Sequence, residues 1–153
     1  MKNQRTLVNV LAAALLACTA GLATAADTQT LTVSATVIGT CKFSAATNTL
    51  AFGNIDPSLT TDKVLAANVI YKCTKNTASL GIAGTTGAMA MTSGANSLPF
   101  TLSIAGDTQA GKGFEPGATT ELTAVVTGTI AVADFQNAAA GAYSKNVSLT
   151  ISP

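Results

Sequence analysis

Apolar and polar residues alternate along most of this chain, and the clearest alternation comes early. In residues 28–38, Leu31, Val33, Ala35 and Val37 fall on one side, with Thr30, Thr32, Ser34 and Thr36 on the other. A period of 2 held over about eight residues predicts a half-buried β-strand. Thr and Val favour strands, and no Gly or Pro interrupts the run. Its apolar face must find cover, either in its own sheet or in another molecule.

Further short elements follow. Residues 49–53 make an apolar run ending in Gly53, read as a strand that stops or bulges there. Residues 54–58 carry turn chemistry around Pro57. Alternation returns with Leu65, Ala67, Val69, Tyr71 and Cys73 on one face, and Leu80 with Ile82 marks a short strand. Residues 84–96 read as a long Gly/Thr/Ser-rich arm in which Met89 and Met91 serve as adaptable packing. Leu98, Phe100, Leu102 and Ile104 form the next strand, and Pro99 points to an edge position or a strand start. Residues 105–120 read as a loop, then Leu122, Ala124, Val126, Gly128 and Ile130 recur at period 2. A closing strand turns Tyr143, Val147, Leu149 and Ile151 inward, with Lys145 interrupting the apolar side.

No segment after residue 26 sustains a 3.6 period. Roughly seven short strands with turn signals between them predict an all-β fold, an antiparallel sandwich of immunoglobulin type. A closed barrel is the structural alternative.

The first 26 residues follow another logic. Lys2 and Arg5 precede an apolar stretch from Leu7 to Leu22, and residues 23–25 and 24–26 offer small-residue cleavage sites. This is the pattern of a secretory signal peptide over residues 1–26, which leaves a domain over residues 27–153 with no membrane insertion after cleavage. A membrane anchor is disfavoured by the short, Ala-rich run. Leu15-Leu-Ala-Cys18 resembles a lipobox, although Leu before the Ala-Cys is atypical there.

Charge narrows the function classes. Of eight Lys and Arg, Lys2 and Arg5 lie in the leader, so six Lys face seven Asp and Glu, a net charge of −1. There is no basic patch for nucleic acid and no acidic tail. Charged residues are 10% of the chain, against about 25% in average proteins, so Thr, Ser, Asn and Gly build the polar faces. Such a surface suits a strand-rich exported protein better than a cytosolic enzyme.

Cysteine usage agrees with export. Cys18 falls in the leader, which leaves Cys41 and Cys73. An even pair in an exported chain is most simply a disulfide, with two buried free thiols as the alternative. No catalytic constellation is visible. The chain has no His, the commonest general base and metal ligand. The acids are scattered over loops and strand ends without the spacing of a carboxylate dyad or a calcium loop. Residues 111–113 (Gly-Lys-Gly) lack the rest of a phosphate-binding loop, and Asn146-Val-Ser148 matches a glycosylation sequon within a strand. The expectation is a non-enzyme with no cofactor and no metal.

Several of these features occur together in one family. The chain resembles the spore coat protein U domain and the related archaic chaperone–usher pilins. The likeness is carried by the alternating segment leading to Gly39-Thr-Cys41, then Leu50-Ala-Phe-Gly53, Tyr71-Lys-Cys73, Val126-Thr-Gly-Thr-Ile130 and Gly141-Ala-Tyr143. It extends over essentially all of residues 27–153. The resemblance implies an incomplete immunoglobulin-like sandwich lacking its last strand. Residues 27–38 would be an N-terminal donor strand presenting Leu31, Val33, Ala35 and Val37 to the next subunit. Tyr143, Val147, Leu149 and Ile151 would line the acceptor groove. The implied partners are identical or related pilin subunits, a periplasmic chaperone and an outer-membrane usher, with the periplasm and then the cell surface as location. The implied role is in surface fibres that support adhesion and biofilm formation. The alternatives are a spore-coat structural protein and a self-complete secreted or periplasmic binding module. Against a sugar-binding module of this kind, the chain has no Trp and two Tyr for stacking.

Overall fold

A computed structural model describes residues 27–84 and 86–153. The expected signal peptide, residues 1–26, lies outside the described residues. The chain divides at Ala35 into an N-terminal unit and the unit Thr36–Pro153, and the second contains the regular structure of the described residues.

The fold is all-β. Two long alternating runs form its centre: β2 (Lys63–Cys73) and β6 (Leu122–Ile130) pair antiparallel from Lys63↔Ile130 to Tyr71↔Leu122. Around them β1 (Cys41–Phe43), β4 (Gly87–Ser93) and β5 (Asn96–Ala105) complete an antiparallel five-stranded sheet in the order β1-β2-β6-β5-β4. A separate two-stranded ladder joins β3 (Ile82–Ala83) to β7 (Thr150–Ile151). Among the described residues, helix is confined to a 3-10 turn, Ala118–Thr120, and one short helix, α1 (Val132–Gln136).

The alternation read from the sequence decides which face is covered. Val69, Tyr71 and Cys73 of β2, Leu98, Phe100 and Leu102 of β5, and Leu122, Ala124, Val126 and Ile130 of β6 are buried together. Polar and small residues between them, such as Thr101, Ser103 and Thr123, face out. The Tyr71 hydroxyl, carried into this core, donates to the Gly106 carbonyl at 3.2 Å and accepts from the Gln109 N–H at 3.4 Å. Burial pushes its pKa above the ordinary tyrosine value, with the Asp107 charge adding to the effect and the Gln109 bonds opposing it.

Cys41 and Cys73 lie directly opposite each other across β1 and β2 and are disulfide-bonded. Both side chains are buried. The bond closes a loop with a sequence separation of 32, worth roughly 3–4 kcal/mol on the chain-entropy estimate.

Four sequence expectations need correction. The arm over residues 84–96 contains β4, which forms a hairpin with β5 from Gly87↔Leu102 to Ser93↔Asn96. Gly94, at φ 59, takes the first central position of the two-residue turn, where a side chain would be strained. Ala and Gly around Met89 and Met91 hid the strand signal. Pro99 is not at the strand start but holds a local edge position: it sits inside β5 before pairing with β6 begins at Thr101, so no β6 neighbour needs the N–H that Pro lacks. Residues 49–53 form no strand, and of the expected closing strand only β7 is paired. Leu50, Phe52, Tyr143, Val147, Leu149 and Ile151 nevertheless pack partly buried against the core. Their parity is inward, yet apart from Ile151 in β7 none of them lies in a ladder. Residues 28–38 are the fourth case: they form no strand, and their side chains are exposed.

Candidate functional site

The feature with no structural explanation of its own is an open apolar trough on the buried side of the five-stranded sheet. Its floor is built by Val69 of β2, Phe100 and Leu102 of β5 and Val126 of β6. These are inward residues of a continuous alternating pattern, so the sheet itself aims them there. One wall is formed by residues 45–50 with Phe52, the other by residues 145–149. The enclosed space is about 620 Å³.

A second cavity of about 810 Å³ continues it. The walls here are residues 50–55 with Pro57 on one side and residues 138–143 on the other, over Leu98, Ile130 and Phe135. Leu50, Phe52 and Met91 line both cavities, so the two make one long trough. The walls run in opposite directions, since residues 45–50 face 145–149 while 50–57 face 138–143.

Gly128 lets the first wall approach. A Cβ at this position would strike the side chains of Leu50, Phe52 and Leu102. The sheet is thus cut back at β6 where two apolar wall residues rest on it.

Backbone polarity distinguishes the walls from ordinary loops. Among the described residues, no backbone hydrogen bond joins one wall to the other, and no N–H of residues 45–56 finds a backbone acceptor. The second wall touches the sheet through one bridge, Thr92↔Ser144, with reciprocal bonds of 3.1 and 3.2 Å. Residues 145–149 have no backbone partner within the described residues. The apolar floor thus lies between two rails whose backbone N–H and C=O groups are largely without backbone partners among the described residues, as at the edge of a sheet.

Little charge enters the trough. Lys145 is the one charged residue along it, on the side of the wall that also carries Val147 and Leu149. At the far end Asp56 accepts the Ser58 N–H at 2.8 Å, and this bond holds its carboxyl below the ordinary aspartate value. That is a turn-stabilising contact.

No family model, curated protein or solved structure matches this chain.

The structure brings together Val147 and Leu149 in the first cavity and places Tyr143 in the second; Ile151 is held in β7 outside both. Leu31, Val33 and Val37 lie in solvent, at 84%, 83% and 83% exposure. Ala35 is exposed as well. Ile38, not singled out from the sequence, is 74% exposed. Its carbonyl accepts the Thr74 hydroxyl at 3.2 Å, and that hydroxyl oxygen in turn accepts the Thr40 N–H at 3.1 Å. Thr74 at the end of β2 therefore anchors the root of the free segment. Sequence reasoning also missed the floor residues Phe100 and Leu102 as site residues, because an inward strand position looks the same whether or not anything covers it. Among the described residues there is no group of three His, Cys, Asp or Glu able to hold a metal ion, and no helix is long and apolar enough to cross a membrane.

Proposed function

We propose that this protein is a structural subunit that assembles head to tail, residues 27–38 of one copy filling the apolar trough of the next. One observation carries this reading. The molecule exposes a strand-patterned apolar segment and, separately, an apolar trough whose walls lack their hydrogen-bonding neighbour.

Twelve residues, 27–38, extended at about 3.3 Å each span roughly 40 Å. Strand addition would pair the open rails and set alternate side chains into the floor, the recognition mode used in pilin strand complementation among other systems. Burying Leu31, Val33 and Val37 fully, with a smaller share for Ala35, contributes roughly 5–8 kcal/mol. A donor segment and an acceptor trough that are different parts of the chain make a heterologous contact, and where its rotation does not close, the product is a filament.

On this reading the fold is an incomplete immunoglobulin-like sandwich: the five-stranded sheet is one layer, and the two walls with the inserted strand are the other. The motif order resembling the spore coat U domain points the same way. It extends the proposal to a surface pilus assembled through a periplasmic chaperone and an outer-membrane usher, serving adhesion and biofilm formation. A self-complete binding module is less well supported, because its N-terminal segment would lie in its own sheet.

The test is deletion of residues 27–38. The shortened protein should keep its fold and still take up a synthetic peptide of sequence 27–38, but should form no fibres in electron micrographs. Fibres from the shortened protein would overturn the proposal.

A further inference from the structure

Of the three Met in the chain, Met1 precedes the described residues, and the other two sit on β4 with the same inward parity. Both are partly buried against the core, Met89 opposite Phe100 and Met91 opposite Leu98. Their surroundings differ. Met91 lines both cavities of the trough, at the point where they join, whereas Met89 lines neither. A flexible thioether is thus presented to open space at the middle of the proposed acceptor site.

We propose that Met91 is a modification site: its oxidation to the sulfoxide by peroxide closes the trough to the incoming strand. The inference rests on the strand-acceptor reading above. The thioether sulfur attacks one oxygen of hydrogen peroxide, and the O–O bond breaks as the S–O bond forms. Sulfur loses two electrons, and the proton shed by the transferred hydroxyl neutralises the departing hydroxide, leaving water. The product replaces an apolar, adaptable side chain with a polar one. Leu50, Phe52, Leu98 and Phe100, which share the trough with Met91, have side chains that cannot hydrogen-bond the new oxygen. The Tyr143 hydroxyl is already given to the Ala139 carbonyl, and Lys145 on the wall is exposed to solvent. While the trough is open, water satisfies that oxygen; under an inserted strand it is stripped of water and unpaired. The same geometry protects an assembled subunit, because the inserted strand covers the sulfur. Oxidation therefore acts on subunits still waiting for a partner.

The experiment uses the full exported chain and a fluorescent peptide of residues 27–38 as probe. Hydrogen peroxide is applied with the trough open or already filled, and sulfoxide at each Met is measured by peptide mass spectrometry. Filling the trough should slow oxidation at Met91 and leave Met89 unchanged. Chain carrying Met91 sulfoxide should bind the peptide about tenfold more weakly or worse, and methionine sulfoxide reductase should restore binding. Met91→Leu should bind normally and resist peroxide, while Met89→Leu should remain peroxide-sensitive. Equal protection of both Met, or full binding by the Met91 sulfoxide form, overturns the inference. If the unoxidised chain fails to take up the peptide at all, the strand-acceptor reading falls, and this inference with it.

Discussion

Replacing Val33 with Asp separates the stability of one molecule from the joining of two. Val33 is 83% exposed in the single chain, so Val33→Asp should change its unfolding free energy by no more than about 0.5 kcal/mol. In the joined state the inward series that contains Val33 would face the apolar floor built by Val69, Phe100, Leu102 and Val126, none of which can pair with a carboxylate, and Lys145 stands on the wall rather than the floor. The variant forfeits roughly 1.5–2 kcal/mol of Val burial. It also meets a desolvation cost of several kcal/mol for an unpaired ion, or for protonating it. A combined loss of about 4 kcal/mol lowers the association constant by roughly a thousandfold. Parity supplies the control. Thr32 lies one residue away and would point to the opposite face of the inserted strand, so Thr32→Asp should assemble far better than Val33→Asp. Urea unfolding of the monomer and light scattering during assembly would measure both effects. Joining by Val33→Asp at wild-type concentrations would refute the reasoning, as would equal loss in both variants.

Two further outcomes test the body of the fold. Gly128→Val drives a branched side chain into Leu50, Phe52 and Leu102, so it should destabilise the protein by about 1–3 kcal/mol and displace the first wall from the sheet. Denaturant midpoints would give the first effect, and peptide uptake the second. The Tyr71 pKa is raised in the folded state, so the unfolded chain releases the proton first as pH rises. Stability from this group is fully present below about pH 10, the unfolded tyrosine value, and falls as pH climbs from there toward the folded-state pKa. Denaturant midpoints between pH 8 and 11.5 should therefore decline less in Tyr71→Phe, whose lower starting stability reflects the lost bonds to Gly106 and Gln109.

Much of this protein follows from its sequence alone. Period-2 patterning marked β2, β5 and β6 and assigned their inward residues, because alternation is a local property that any paired strand imposes. Cys41 and Cys73 were legible as a bridged pair from the cysteine count, and Cys73 also continues the inward series of β2. Tertiary structure alone decided which patterned segments would find neighbours. Residues 49–53, 143–149 and 28–38 have the composition of strands, and the first two even turn apolar side chains to the core, yet none lies in a ladder beyond the single bridge at Ser144. Conversely, residues 87–93 look like a loosely patterned arm and become β4, because a two-residue turn at Gly94 folds them onto β5. Strand formation needs a partner for its hydrogen bonds, and no window of sequence contains both sides of a ladder. The trough is the result of that difference: side-chain patterning built its floor and walls, and among the described residues no paired strand covers it.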